Sequence, residues 1–308
     1  MTSDANAALK LENLFAVNGL IAVITGGGSG LGSYMARALA LNGAAHVFIL
    51  GRRQASLDSV ASTVPGKNIH PVVADVTSKD SLAAAVKTIT DQHGVSAIDV
   101  LVANSGISGP SVPLYDEKQQ PLPVEKVIEN MWKPETDEVT GTFGVNVTGI
   151  HFTVAAFLPL LVAANKARPE PTLDNFRPRP QIITTSSIGG YNRRPLANLS
   201  YGPSKAAVLH LSKQLSTALV PYDIRVNSIA PGLYLSEMTG GMYARQGKTE
   251  GHNVEGTWDK TMIPATRGGD EADMGGLVLW LVGRAGAYVN GAVLVTDGGR
   301  LAVVPNSY

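Results

Sequence analysis

The stretch Leu20-Ile-Ala-Val-Ile-Thr25-Gly26-Gly-Gly-Ser-Gly-Leu-Gly32 decides the fold. Its first six residues are mostly apolar and include β-branched side chains, which predicts a short buried strand, and the glycines after them mark a tight turn. Residues 33–41 then have helical periodicity and stop at Asn42-Gly43, and residues 46–50 form a second strand pattern. A strand, a glycine-rich turn, a helix and a second strand make a βαβ unit.

Strand and helix patterns alternate along the rest of the chain. Further strands are predicted at 69–74, 99–103, 181–185, 225–229 and 292–296, and helices at 54–64, 80–93, 136–166, 199–220 and 271–281. Repeated β-then-α units predict a parallel sheet that helices cover on both faces. We therefore expect an α/β doubly wound (Rossmann) fold of about seven strands, formed by residues 1–308 as a single domain.

Three stretches lack clear periodicity. Residues 107–134 contain five prolines and residues 168–180 contain four, so both are predicted as loop insertions. Such long connections are uncommon in compact domains unless they are functional. Residues 233–264 are polar and glycine-rich, and we interpret them as a mobile lid over a substrate site. The long helix 136–166 is expected to kink near Gly141, Gly144 and Gly149.

Composition excludes several classes of protein. The chain has 25 basic and 25 acidic residues, so no basic excess suggests nucleic acid or an anionic membrane as a partner. It has no cysteine, which rules out disulfides, thiol nucleophiles and thiolate metal sites. The N-terminus lacks signal-peptide features, and no apolar run looks long enough to span a bilayer. We expect a soluble cytoplasmic protein without a metal site.

The glycine-rich turn has the chemistry of a phosphate cradle. A helix N-terminus presents free N–H groups and a positive dipole end to a pyrophosphate, and glycines let the backbone approach it closely. The alternative is a tight strand–helix turn without a ligand. Three residues separate Gly26 from Gly30 and one separates Gly30 from Gly32, which differs from the commoner G-x-G-x-x-G order. The residues expected to hold a dinucleotide here are Thr25, Gly26, Gly28, Ser29, Gly30, Leu31 and Gly32.

The end of the second strand predicts which dinucleotide binds. An NAD site usually places a carboxylate there for the ribose 2′-hydroxyl, but this chain has Gly51 followed by Arg52 and Arg53. Arginine is always charged and grips phosphate with two hydrogen bonds. The pattern favours the 2′-phosphate of NADP(H). The alternatives are that NAD(H) binds, or that the two arginines are simply solvated.

Tyr201-Gly-Pro-Ser-Lys205 carries a possible acid–base function. The four-residue spacing puts the tyrosine and lysine on one face of a helix, and Pro203 fits a first helical turn. A nearby ammonium lowers the pKa of a phenol, so Tyr201 could exchange a proton with an alcohol or carbonyl near neutral pH. On its own, the pair could equally lie on the surface.

Together these motifs resemble the short-chain dehydrogenase/reductase superfamily, more narrowly its single-domain, NADP-preferring, 3-oxoacyl reductase-like ketoreductases. The resemblance covers about residues 14–300. It rests on Thr25-Gly26-x-x-x-Gly30-x-Gly32, Asn104-x-Gly106, Ser187, Tyr201-x-x-x-Lys205 and Pro231-Gly232. The usual Asn-Asn-Ala-Gly reads Ala103-Asn104-Ser105-Gly106, and Ser236 replaces a threonine after Pro231-Gly232.

The resemblance implies roles for individual residues. Tyr201 would be the general acid or base, Lys205 would lower its pKa and hold the nicotinamide ribose, and Ser187 would bind the substrate oxygen. Asn146 would anchor a proton-relay water. The further cofactor contacts implied are Asp75 and Val76 at the adenine, Asn104 and Gly106 at its ribose, and Pro231, Gly232, Tyr234 and Ser236 along the nicotinamide. Ser186 is an alternative to Ser187. The family usually has about thirteen residues from serine to tyrosine, whereas Tyr201 lies fifteen positions after Ser186 and fourteen after Ser187.

The resulting prediction is an NADP(H)-dependent oxidoreductase that transfers hydride between nicotinamide and a carbonyl/alcohol substrate. Alternatives are an NAD-dependent alcohol dehydrogenase and a non-redox cofactor-binding protein on the same fold. A hydrophobic or polyketide-like ketone would suit an apolar pocket of Leu114, Tyr115, Tyr191, Leu196, Tyr234, Met238 and Met242. The family commonly forms homotetramers or homodimers through two long helices, here 136–166 and 199–220.

Overall fold

The structure is a computed structural model that describes residues 6–116, 120–168, 176–195 and 198–308. Its seven strands are β1 (Ile21–Thr25), β2 (His46–Gly51), β3 (Ile69–Val73), β4 (Val100–Ala103), β5 (Gln181–Thr185), β6 (Arg225–Pro231) and β7 (Val293–Thr296). They form one sheet in the order β3-β2-β1-β4-β5-β6-β7, and every neighbouring pair is parallel. The predicted doubly wound α/β fold is confirmed.

The helices follow the strands in the predicted alternation. They are α1 (Leu11–Leu14), α2 (Gly30–Leu41), α3 (Gln54–Ser62), α4 (Lys79–Lys87), α5 (Val124–Trp132), α6 (Thr136–Phe143), α7 (Gly149–Lys166), α8 (Tyr201–Ala218), α9 (Glu237–Arg245) and α10 (Glu271–Val282). Because side chains alternate across a strand, Ile24 joins the core beneath α2 and α10, whereas Val23 joins the core beneath α4, α7 and α8.

The order of the strands reverses between β1 and β4, which are neighbours in the sheet. Helices therefore leave in opposite directions there and open a crevice at the carboxyl ends of the strands. Thr25 closes the floor of that crevice, because its Oγ1 accepts the N–H groups of Asn104 (3.0 Å) and Ser105 (3.2 Å). The Asn104 Nδ2 donates in return to the Thr25 carbonyl at 3.1 Å.

Two stretches predicted to be irregular contain helices. Helix α5 lies inside 107–134, between Pro123 and Pro134. The prolines of this stretch favoured a loop, although Val124, Ile128 and Met131 repeat with helical spacing; these side chains are exposed. Helix α9 lies inside 233–264, where Tyr243, Trp258 and Ile263 bury a small apolar cluster. Residues 117–119, and 169–175 of the predicted loop 168–180, lie outside the described part of the chain.

The predicted long helix is continuous but changes character at its glycines. A π-helical turn, Gly144–Thr148, separates α6 from α7. By length and composition the whole helix 136–166 could cross a membrane, so the expectation that no apolar segment is long enough was wrong. Phe157 and Leu161 of this helix are fully buried against the sheet, as in the core helix of an α/β protein.

Replacing Thr25 with valine should destabilise the fold. The change leaves two N–H groups without their acceptor, and a loss of about 1–3 kcal/mol in the free energy of unfolding is expected. Thr153→Val is the matched control, since Thr153 is equally buried and its Oγ1 has no partner among the described residues. Urea denaturation of both variants checks this, and equal losses at the two positions would contradict it.

Candidate functional site

The glycine-rich turn forms a cradle that side chains would fill. Gly26 and Gly30 adopt positive φ angles of 66° and 51°, which L-residues with a Cβ rarely adopt. A Cβ at Gly32 would overlap the carbonyl oxygen of Gly26. The N-terminus of α2 therefore packs directly on the turn, with its free N–H groups facing the crevice.

Two cavities meet at this turn and form one groove. A cavity of about 410 Å³ contacts Gly28, Arg52, Arg53, Asp75 and Val76. A second cavity of about 450 Å³ is lined by Gly30, Leu31, Asn104, Ser187, Tyr201, Lys205, Pro231, Gly232 and Ser236, among others. Both touch Gly26, Ser29 and Gly106. The groove runs across the carboxyl ends of the strands, and its shape and donors fit an extended dinucleotide.

The far end of the groove has the features expected for an adenosine phosphate. Arg52 is exposed and forms no ion pair with any described residue. Arg53 is paired with Glu237 of α9 at 2.6 Å. The Asp75 carboxylate accepts the N–H and the hydroxyl of Thr77 at 2.9 and 2.7 Å. These hydrogen bonds, with a smaller contribution from Arg52, lower the pKa of Asp75.

Tyr201 and Lys205 lie at the other end, on the first turns of α8. The Lys205 Nζ donates to the Thr185 carbonyl at 2.8 Å and lies 5.7 Å from the centroid of the Tyr201 ring. Lys205 is only 3% exposed, and this burial lowers its pKa to about 8. The lysine therefore stays mostly protonated at neutral pH.

Tyr201 differs from the expectation in one respect. Burial raises the pKa of its phenol, and the hydrogen bond with Ser187 offsets only part of that effect. Burial thus outweighs the effects that lower this pKa, and the lowering by Lys205 that the resemblance implies stays a prediction. A phenol that keeps its proton is suited to act as a general acid.

The geometry separates the two candidate serines. The Ser186 Oγ is buried and donates to the carbonyl of Lys205 at 2.7 Å, so it braces α8. The Ser187 Oγ accepts the N–H of Gly189 at 3.0 Å, bonds to Tyr201 and faces the groove. Ser187 is therefore the serine placed to meet a substrate oxygen.

Asn146 lies in the π-helical turn and is completely buried. Its Oδ1 accepts the Ile107 N–H at 2.8 Å, while its Nδ2 donates to the Ile107 carbonyl and to the Ser204 Oγ at 3.0 and 2.9 Å. A Cβ on Gly106 would lie 3.2 Å from the Lys205 Nζ and 3.3 Å from the Asn146 Oδ1. The side chain thus joins three elements beside Lys205; its role with a relay water stays a prediction.

Beyond the lysine, β6 ends at Pro231 and Gly232, and Ser236 caps α9 over Gly30. Tyr234 lines this groove as predicted, but its hydroxyl is bonded elsewhere. Its ring is buried beneath the sheet's end and its hydroxyl shares a 2.5 Å hydrogen bond with Thr296. Burial raises the pKa of Tyr234 to about 12.

A third cavity of about 600 Å³ adjoins the nicotinamide end and shares Ser187, Tyr201 and Met238 with the groove. Tyr191, Met238 and Met242 line it as predicted, but Leu114, Tyr115 and Tyr234 do not, and Leu196 lies outside the described residues. Sequence reasoning missed Arg193, Arg194, Asn198, Arg300 and Ser307. Only the Arg193-Arg194 pair gave a local signal, since the others arrive from distant segments.

Comparison with known proteins agrees with this architecture. A family model described as short chain dehydrogenase matches residues 20–247. The short-chain dehydrogenase/reductase PhomF of Diaporthe leptostromiformis is 42% identical over 309 residues, 100% of each chain. The short-chain dehydrogenase/reductase SAT3 of Stachybotrys chartarum is 40% identical, covering 89% of this chain and 100% of the relative. The Pseudomonas aeruginosa RhlG/NADP active-site complex is similar in structure, with a TM-score of 0.75 and 27% identity over 93% of this chain and 98% of that one.

Proposed function

Since this chain belongs to the short-chain dehydrogenase/reductase family, whose members exchange hydride between a nicotinamide cofactor and a carbonyl/alcohol pair, we propose that it reduces a ketone with NADPH. The proposal rests on one observation above all. Ser187, Tyr201 and Lys205 come together where the dinucleotide-shaped groove meets a separate cavity of about 600 Å³. A ketone bound in that cavity reaches the phenol, because both Ser187 and Tyr201 line it.

When bound, the reduced nicotinamide supplies the hydride. Side chains of the protein bind the ketone oxygen and donate a proton to it. The Ser187 Oγ accepts the Gly189 N–H and is hydrogen-bonded to Tyr201. When a ketone binds, the Ser187 O–H turns to the ketone oxygen and stabilises the charge that develops there. Tyr201 gives that oxygen its proton. The buried ammonium of Lys205 then stabilises the phenolate left on Tyr201, until a proton returns from solvent.

The choice of NADP(H) rests on Arg52 at the adenosine end of the groove. No carboxylate follows β2, and the guanidinium of Arg52 is exposed beside Asp75 without an ion-pair partner among the described residues. A 2′-phosphate would supply that partner. The similar RhlG structure is a complex with NADP, which supports the same choice.

One contact favours the alternative of an NAD-dependent alcohol dehydrogenase. Glu237 reaches the groove from α9 and neutralises Arg53. A carboxylate at this position could accept a hydrogen bond from a free ribose 2′-hydroxyl, as acidic residues in NAD sites do. We therefore assign the 2′-phosphate to Arg52 rather than to Arg53.

The two long helices proposed for a homodimer or homotetramer also leave an apolar surface. Ala155 and Pro159 of α7 are exposed, as are Pro203 and Ala206 of α8, which also line the cavity beside Tyr201. An apolar outer face on helices of this length suits a contact with a second copy. The oligomeric state stays a prediction.

NADPH oxidation across a panel of apolar ketones tests the proposed function, with Tyr201→Phe in parallel. Wild-type turnover should fall by roughly 10²–10⁴-fold in the variant, because proton transfer by a positioned acid contributes about that much. NADPH binding should stay unchanged, since the phenylalanine keeps the ring. Tight NADPH binding with no turnover of any ketone or alcohol would instead favour the non-redox alternative.

Arg52→Ala should raise KM for NADPH about tenfold or more and leave KM for NADH nearly unchanged, because only NADPH loses a charge-assisted hydrogen bond. Arg53→Ala is the matched comparison, with a smaller effect expected because Glu237 already occupies Arg53. Steady-state kinetics with both cofactors measure the ratio. An NADPH preference that survives Arg52→Ala would contradict the assignment.

A further inference from the structure

The cavity beside Tyr201 combines an apolar wall with unbalanced positive charge. Tyr191, Leu199, Leu233, Met238 and Met242 supply the apolar surface. Three arginines line it as well, Arg193, Arg194 and Arg300, and no aspartate or glutamate is among its described lining residues. None of the three arginines forms an ion pair with a described carboxylate. A neutral apolar ketone carries no anionic group with which these arginines could pair.

Arg300 is the most informative of the three because it is only 7% exposed. Its Nη1 donates to the Met262 carbonyl at 2.7 Å, but neither Nε nor Nη2 has a partner among the described residues. Asp297 is near enough to interact with it, yet the Asp297 carboxylate is engaged by the N–H groups of Gly299 and Leu301 at 2.8 Å each. A buried cation with free donors is costly unless an acceptor is present.

Arg194 approaches the same space from the loop after β5. Its guanidinium lies over the Tyr115 ring at 5.1 Å and is otherwise exposed. Burial lowers the pKa of Arg300, Asp297 partly offsets this, and a smaller repulsion from Arg194 lowers it again, so the two positive charges are close enough to interact. Two like charges held together in a partly desolvated cavity are relieved by an anion between them.

Residues 305–308 form hydrogen bonds with both chain segments that carry these arginines. The Arg193 N–H donates to the Pro305 carbonyl at 2.8 Å, and the Ser307 N–H donates to the Tyr191 carbonyl at 3.0 Å. The Asn306 Nδ2 donates to the carbonyl of Leu301, next to Arg300. One short segment thus ties the loop that carries Arg194 to the turn that carries Arg300. A preorganised pair of this kind binds its ligand without first being ordered.

We propose that the substrate is an anionic amphiphile: a ketone with an apolar body and a carboxylate or phosphate group that Arg194 and Arg300 bind. The inference rests on the proposed reductase function and narrows its substrate class. The ketone lies at Ser187 and Tyr201, the apolar body lies along Met238 and Met242, and the anion lies between the guanidinium groups. Arginine binds either oxyanion with paired hydrogen bonds.

The test compares matched charged and neutral ketones. The carboxylate set is a series of ω-aryl keto acids of increasing chain length, each beside its methyl ester; the phosphate set is a 3-oxoacyl thioester of 4′-phosphopantetheine beside that of pantetheine. In wild-type enzyme with NADPH, kcat/KM for a charged form should exceed that of its neutral partner roughly 10- to 100-fold. Which set responds identifies the anion, and either response supports the proposal.

Arg194→Gln should remove most of that preference through KM, leave kcat nearly unchanged and leave the neutral esters unaffected. Arg300→Lys, which keeps the buried charge but loses the planar fork, should reduce the preference less. Arg245→Gln, an exposed arginine on α9 outside the cavity, is the control and should change nothing. Equal kcat/KM for charged and neutral ketones, or a preference that Arg194→Gln leaves intact, would overturn the proposal.

Calorimetric binding separates this inference from the reductase proposal. Keto acids should bind the NADP complex of wild-type enzyme more tightly than their esters, and Arg194→Gln should abolish the difference. If neither charged nor neutral ketones are reduced but this binding difference is present, the reductase proposal fails and the anion site stands. If ketones are reduced and the binding difference is absent, the anion site fails and the reductase stands.

Discussion

The site depends on one buried cation. The ammonium of Lys205 is almost completely removed from water, and among the described residues it donates to the Thr185 carbonyl at the end of β5. Burial of a charge is unfavourable, and the surroundings are arranged to tolerate it. Ser186 fixes the start of α8 from below, Gly106 leaves room for the ammonium, and Asn146 holds the loop that covers it.

The sheet explains why these groups meet. Reversal of strand order between β1 and β4 opens the crevice, and Thr25 fastens the two strand ends so that the glycine-rich turn and the loop after β4 share one groove. Strand β5 delivers Ser187 and Thr185 next to that groove, while α8 packs behind β5 and β6 and delivers Tyr201 and Lys205. The α9 segment then forms the outer wall of both the cofactor groove and the substrate cavity.

Local patterns in the sequence were enough for the strands, the long helices and the glycine-rich turn, since each follows from a period or a turn residue within a few positions. They failed where the answer depends on distant residues. The Tyr234 hydroxyl pairs with Thr296 on β7, and burial raises the pKa of Tyr201. Helix α5 is a different case, because its residues Val124, Ile128 and Met131 do repeat with helical spacing but the prolines around them favoured a loop. Arg194 and Arg300 lie in one cavity only because residues 305–308 connect their loops.

The most direct test of the account follows the hydride itself. Reduction of a ketone with NADPH deuterated at both positions of nicotinamide C4, analysed by NMR of the product, should place deuterium on the carbinol carbon for the wild-type enzyme. No labelled alcohol should form above background with Tyr201→Phe. A product that lacks the label would contradict hydride transfer from the nicotinamide. Labelled alcohol formed at the wild-type rate by Tyr201→Phe would contradict the assignment of proton transfer to this tyrosine at the junction of the groove and the cavity.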